Sequence, residues 1–178
     1  MSAHRKTLPQ TLPEQLNARA ARAGWPSTCD DRLVFDNARL QDLTRIWHAV
    51  RGGQALPRRG DFTARTLVRH LCDIAFVERV PGTPRRYRFG FYGSNLARYT
   101  GDGTGKFLDA MVPAQFIEPW CAAYDTVLEA GAPLRFVSHF RAFDLDYMTA
   151  ESLIAPLCDA QGEASGLLAS AVYTPRVA

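Results

Sequence analysis

The chain has 178 residues, 47% hydrophobic, 11% aromatic and 22% charged, with a net charge of +3. That length holds one domain with a real core and not comfortably two, and so much apolar matter excludes an extended disordered polymer. A charge this small gives no support for nucleic-acid binding, and no apolar run approaches the ~20 residues a membrane helix needs.

Residues 1–36 read as a largely irregular N-terminal arm, and residues 37–178 as the domain. Pro9, Pro13 and Pro26 punctuate the arm, and the stretch from Glu14 to Ala23 makes at most a short helix. Arg5, Lys6, Arg19 and Arg22 against the single acid Glu14 read as a mildly basic, solvated tail. The opening Met1 to Lys6 lacks the apolar stretch of a secretory signal. Cys29, Cys72, Cys121 and Cys158 are scattered, with no C-x-x-C pair and no His at zinc spacing. These features predict a cytoplasmic protein with free thiols and no metal site.

From Asn37 to Arg51, Leu40, Leu43, Ile46, Trp47 and Val50 recur at steps of three and four, which predicts an amphipathic helix capped by Asp36 and stopped at Gly52-Gly53. Its stripe must cover either its own sheet or a twin. Phe62 to His70 reads as a short helix. The period then changes to two: Ile74, Phe76 and Glu78 alternate with Ala75, Val77 and Arg79, and after a turn at Pro81–Pro84, Tyr87, Phe89 and Phe91 alternate with Arg86, Arg88 and Gly90. That is a hairpin. Gly101, Gly103 and Gly105 break the next stretch into turns, and Ala114 to Glu129 reads as a helix containing Pro119. Three strands follow: Leu134 to Ala142, with Phe136, Ser138 and Phe140 inward and Arg135, His139 and Arg141 outward, then Met148 to Leu157, then Gly166 to Tyr173. The fold class is α+β, a five-stranded antiparallel sheet with helices on one face.

The words along the chain carry a resemblance. Trp47-His48-Ala49-Val50-Arg51-Gly52-Gly53, then Leu56-Pro57, Arg59 and Asp61-Phe62, is similar to the opening of a PAS-like family common in proteobacteria. Tyr87-Arg88-Phe89 with Gly93, the Gly101–Lys106 turn, and Glu151 to Leu157 resemble its later strands and turn. The match covers about Ala38 to Pro175. It implies a PAS-type fold and a stand-alone sensory, ligand-binding or interaction role, with signalling by contact with a partner protein because no room remains for a kinase or cyclase.

In such a fold the inner sheet face and the helical insert enclose a cavity. Phe76, Phe89, Phe91, Tyr99, Phe107, Met111, Phe116, Trp120, Tyr124, Phe136 and Phe140 are its candidate lining, with Trp120 and Tyr124 as polar handles and a small apolar or aromatic molecule as ligand; a solid core is the alternative. Glu151 is a candidate for the same pocket if it faces inward, or a rim salt bridge. The cofactor is left unknown, with no flavin or haem motif recognised. The Asn-Cys-Arg-Phe-like flavin motif is absent, and the helix after the glycine turn carries no His for haem. That leaves Cys121, or His139 if it points inward, as the iron ligands to consider against a buried structural thiol. Gly101 to Lys106 lacks P-loop spacing and its hydroxyl residue, so it reads as a turn. Leu40, Leu43, Ile46, Trp47 and Val50 are the candidate homodimer interface, with Trp47 as anchor. An alternative class is a small cone-shaped enzyme, an isomerase or dehydratase, using His139 with Asp144.

Overall fold

The computed structural model describes residues 10–82, 86–139 and 147–176. In the arm, residues 1–36, where at most a short helix from Glu14 to Ala23 was expected, the described residues hold a helix and a strand. Helix α1 (Leu12–Ala23) opens with a capping box, in which the Thr11 hydroxyl accepts from the Glu14 amide and the Glu14 carboxylate accepts from the Thr11 amide at 2.8 Å. Pro13 stands in the first turn, where its missing N–H costs nothing, and Gly24 closes the helix at φ +68°. Strand β1 (Ser27–Asp30) follows.

Helix α2 (Ala38–Arg51) is capped by the Asn37 side chain, 2.9 Å from the Arg39 amide, and not by Asp36. Leu40, Leu43 and Trp47 are fully buried against the chain's own sheet, packing with Ile74, Phe76, Leu153, Ala155, Leu157 and Leu168. The Trp47 indole N–H donates to the Pro156 carbonyl at 3.0 Å. The dimer anchor expected on this stripe is therefore spent inside the subunit, and only Ile46 and Val50 keep partial exposure. The expected helix at 62–70 shrinks to one turn, α3 (Ala64–Leu67).

Strands β2 (Ile74–Val80) and β3 (Arg86–Tyr92) form the expected hairpin. Helices α4 (Ser94–Thr100) and α5 (Ala114–Ala130) make the insert, and Gly131 ends α5 at φ +59°. Gly93 is obligatory before α4, because a methyl there would collide with the backbone carbonyl of Cys72. Strands β4 (Leu134–His139), β5 (Met148–Cys158) and β6 (Ala164–Pro175) complete a six-stranded antiparallel sheet ordered β1-β4-β5-β6-β2-β3. The sixth strand, β1, was not foreseen. It pairs with β4 at the edge.

Both faces of this sheet are covered. The insert lies on one face, as expected, joined there by α1; α2 closes the other. The hairpin carries a bulge that decides which aromatics go where. Phe76 pairs with Phe91 and Val77 with Phe89, leaving Gly90 as the extra residue. Tyr87 and Phe89 thus join the inner cluster, Phe91 turns outward to Phe76, and Tyr92 turns inward.

Candidate functional site

A cavity of about 450 Å³ lies between the inner sheet face, α5 and the α1–β1 segment. Its origin is visible in the strand register. One rung across the sheet reads Tyr173–Ala150–Ser138–Ser27, and the next reads Ala171–Ser152–Phe136–Cys29. A third carries Ala75–Ala169–Ile154–Leu134. Small side chains at the centre of these rungs leave a floor with little height. The roof comes from Phe116, Trp120, Ala123 and Tyr124 on α5, and from Leu16, Ala20 and Trp25 on and after α1. The exposed members of the lining, Ala23, Gly24, Thr28, Gln115 and His139, mark its mouth.

The arm forms this wall because it is clipped in place. The Asn17 side chain donates to the Cys29 carbonyl and accepts from the Cys29 amide, both at 2.8 Å. The His139 amide donates to Pro26, and Arg19 reaches Glu118 on α5 at 2.6 Å while its guanidinium stands 5.0 Å over the Trp25 ring. Most polar groups of the lining are already engaged. Ser138 donates to Ser27 at 3.0 Å, Ser170 donates to the Asp73 carbonyl at 2.7 Å, and Tyr92 pairs with Thr100. The Tyr124 hydroxyl differs. Its residue is 3% exposed, its ring meets Tyr87 and Trp120 edge-on, and among the described residues its hydroxyl has no hydrogen-bond partner. Burial, then the neighbouring Tyr92 and Tyr173 phenols, push its titration well above the usual tyrosine range, so it stays a proton donor. Burial, with Asp30 and Asp31 adding to it, likewise pushes the Cys29 thiol up to about 12. Among the described residues the lining contains no Asp, Glu, Lys or Arg, and no group of three or more His, Cys, Asp or Glu side chains stands where it could hold a metal ion.

Five of the sequence candidates line this cavity: Phe89, Phe116, Trp120, Tyr124 and Phe136. Six others lie elsewhere. Phe76 and Phe91 face the opposite side of the sheet, because β2 uses Ala75 and Val77 inward and Gly90 shifts the parity of β3. Tyr99 is exposed and stacks on Tyr173 with centroids 4.3 Å apart. Phe107 lies 3.7 Å under the Arg86 guanidinium at the β3 edge, and Met111 packs into the inner cluster without reaching the cavity. Glu151 is on the outer face, where its carboxylate accepts from Arg135 Nε at 2.8 Å and from the Asp36 and Asn37 amides at 3.0 and 3.1 Å. Phe140 and Asp144 fall outside the described residues, and His139 sits at the mouth, 3.4 Å from the Thr149 hydroxyl. The Gly101–Lys106 segment is a turn, with Asp102 accepting from the Thr104 amide and Gly105 donating to Phe89.

Sequence reasoning missed Leu16 and Trp25 with the arm, Tyr92 and Tyr173, and the small residues of the floor on β5 and β6. A signal for the floor exists: Ala150 and Ser152 on β5, and again Ala169 and Ala171 on β6, put small residues on alternate positions of strands whose other face carries Leu153, Leu168 and Val172.

The sequence profile of PAS domains matches residues 35–171. The chain belongs to the PAS domain family. Its cavity therefore has one wall, Leu16 to Cys29, ahead of the matched segment of the PAS domain. Among solved structures, an RNA-binding light-oxygen-voltage receptor is similar to this PAS domain at 14% identity and a TM-score of 0.41, over 65% of this chain and 35% of that one; the chain thus spans about a third of that receptor's length. No curated protein matches the sequence. Among the described residues no helix is long and apolar enough to cross a membrane.

Proposed function

We propose that this PAS domain is a sensor of a small molecule, bound in the inner cavity and reported by contact with a partner protein, without chemistry on the ligand. The observation that carries the reading is the 450 Å³ space itself, within the range of small-molecule sites and far larger than packing defects in ordinary cores. An apolar void costs on the order of 24 cal/mol per Å³ left unfilled, so a space of this size is occupied by ligand or water. The lining offers aromatic surface and polar groups that are mostly engaged with one another, which suits binding rather than acid–base work.

The α1–β1 segment is the element through which occupancy would be read. It is held by the pairing of β1 with β4, the His139 amide on Pro26 and the ion pairs Arg19–Glu118 and Arg135–Asp30, with Asn17 tying α1 to β1. A molecule against Leu16 and Trp25 changes how firmly it is held. The test is native mass spectrometry on freshly purified protein, before and after unfolding and refolding. The expected result is a species heavier than the 19.8 kDa polypeptide that loses the extra mass on unfolding. A bare chain in both spectra, together with no binding from a panel of apolar aromatic compounds, overturns the sensor reading in favour of an interaction module without a ligand.

A further inference from the structure

The chemistry of the lining narrows what the cavity accepts, granted the ligand-binding reading above. Three features act together. The floor is low and flat because its central positions are Ala75, Ala150, Ser152, Ala169 and Ala171, while the roof presents the rings of Phe116, Trp120 and Tyr124. A slot between small side chains and aromatic faces favours a flat, unsaturated body. A cavity of ~150 Å³ holds one benzene ring, so about 450 Å³ has room for two or three rings with a substituent.

The second feature is the sign of the electrostatics. With no Lys or Arg in the described lining and its one imidazole, His139, out at the exposed mouth, a carboxylate or phosphate held inside would be desolvated without a countercharge, and with no Asp or Glu the same holds for an ammonium group. The third is Tyr124, a buried phenol with no partner among the described residues. A phenol is a better donor than acceptor because its lone pair is delocalised into the ring, and a hydroxyl on the cavity lining with no protein partner has its proton free for a ligand.

We propose that the cavity takes a neutral ligand of two or three flat rings, carrying one hydrogen-bond acceptor (a carbonyl, an ether or a ring nitrogen) that receives the Tyr124 hydroxyl proton. Ser152, whose hydroxyl also has no partner among the described residues, stands in the floor as a second polar point.

Three naphthalenes of nearly equal size test this by titration calorimetry on full-length protein stripped of co-purified mass by unfolding and refolding. Acetonaphthone carries a neutral acceptor, ethylnaphthalene carries none, and naphthoate carries a charge. Acetonaphthone is expected to bind about fivefold tighter than ethylnaphthalene, the worth of one hydrogen bond between neutral groups, and at least about a hundredfold tighter than naphthoate. Tyr124→Phe is expected to bring acetonaphthone and ethylnaphthalene to equal affinity. Naphthoate binding as tightly as the ketone, or a ketone preference that survives Tyr124→Phe, overturns the inference and leaves the sensor reading standing. Failure of all three to bind wild-type protein that does co-purify with added mass also overturns it. Failure of all three with no co-purified mass overturns the sensor reading itself. The comparison of the three compounds on wild-type protein decides the charge and acceptor claims even if the variant does not fold.

Discussion

Replacing Ala171 by Leu tests whether the inner face of the sheet encloses space. Ala171 stands in the cavity floor, opposite Ser152 on β5. Leu adds about three carbon groups, each worth about 0.8 kcal/mol when moved from water into apolar surroundings. If they enter vacant volume, the ligand-free protein gains up to about 2 kcal/mol, reduced to about 1 where the open mouth keeps them partly wet. Were the same positions tightly packed, the added carbons would force off-rotamer side chains and cost about 1–3 kcal/mol. The sign alone decides. Urea unfolding with an unchanged m-value reads the difference, and for a chain of this length each kcal/mol moves Tm by about 2–4 °C. Both proteins must first be freed of co-purified mass, since a bound molecule stabilises the wild type alone and would mask the gain. Any loss of stability in Ala171→Leu would refute the reasoning. The variant is also expected to lose binding of the naphthalene ketone, because its side chain occupies the slot.

Other outcomes follow from single contacts. Asn17→Ala removes both hydrogen bonds to the Cys29 backbone and is expected to speed amide exchange in α1 and β1 and to weaken ligand binding, while exchange in β5 and β6 stays slow. Trp47→Phe leaves the Pro156 carbonyl unpaired in the outer core and is expected to cost about 1–3 kcal/mol in urea unfolding, without a change in ligand affinity. The Cys29 thiol keeps its proton in the folded state up to pH about 12, whereas the unfolded chain releases it near its ordinary value of 9.0. Between those values the native state binds more protons, so stability falls as pH rises, and Cys29→Ala is expected to flatten that part of the stability profile. At pH 8, a thiol reagent is expected to modify exposed Cys72 quickly and buried Cys29 and Cys121 only on unfolding.

The elements that were legible from sequence are those whose pattern is local. The β2–β3 hairpin, α5 and the last strands announce themselves by period, and the stripe of α2 by its three-and-four spacing. Periodicity gives a stripe but not its partner, so α2 could be assigned to a twin when its own sheet takes it. Alternation fails at a bulge: Gly90 shifts the parity between Phe89 and Phe91, which moves one aromatic out of the cavity and brings Tyr92 in. Strand β1 has no alternation of its own, because four residues at a sheet edge are held by β4 and by Asn17 rather than by an apolar face. For α1, the sequence did contain its start, with Thr11 and Glu14 at capping-box spacing, but its prolines drew attention to irregular chain instead. A cavity is hardest of all to read, since it is defined by the side chains that are too small to fill it.

Arg135 reaches Asp30 on β1 at 3.1 Å and Glu151 on β5 at 2.8 Å, and Glu151 in turn holds the two amides that begin α2. One guanidinium therefore balances the edge strand that walls the cavity against the helix on the far side of the sheet. Should β1 pull away, Arg135 loses one of its two close carboxylates and must lean on the other, which is already sharing itself with the helix start. Cavity wall and distal helix thus share one cation, and the charge left on Glu151 for the helix start depends on whether Asp30 stays in reach of Arg135.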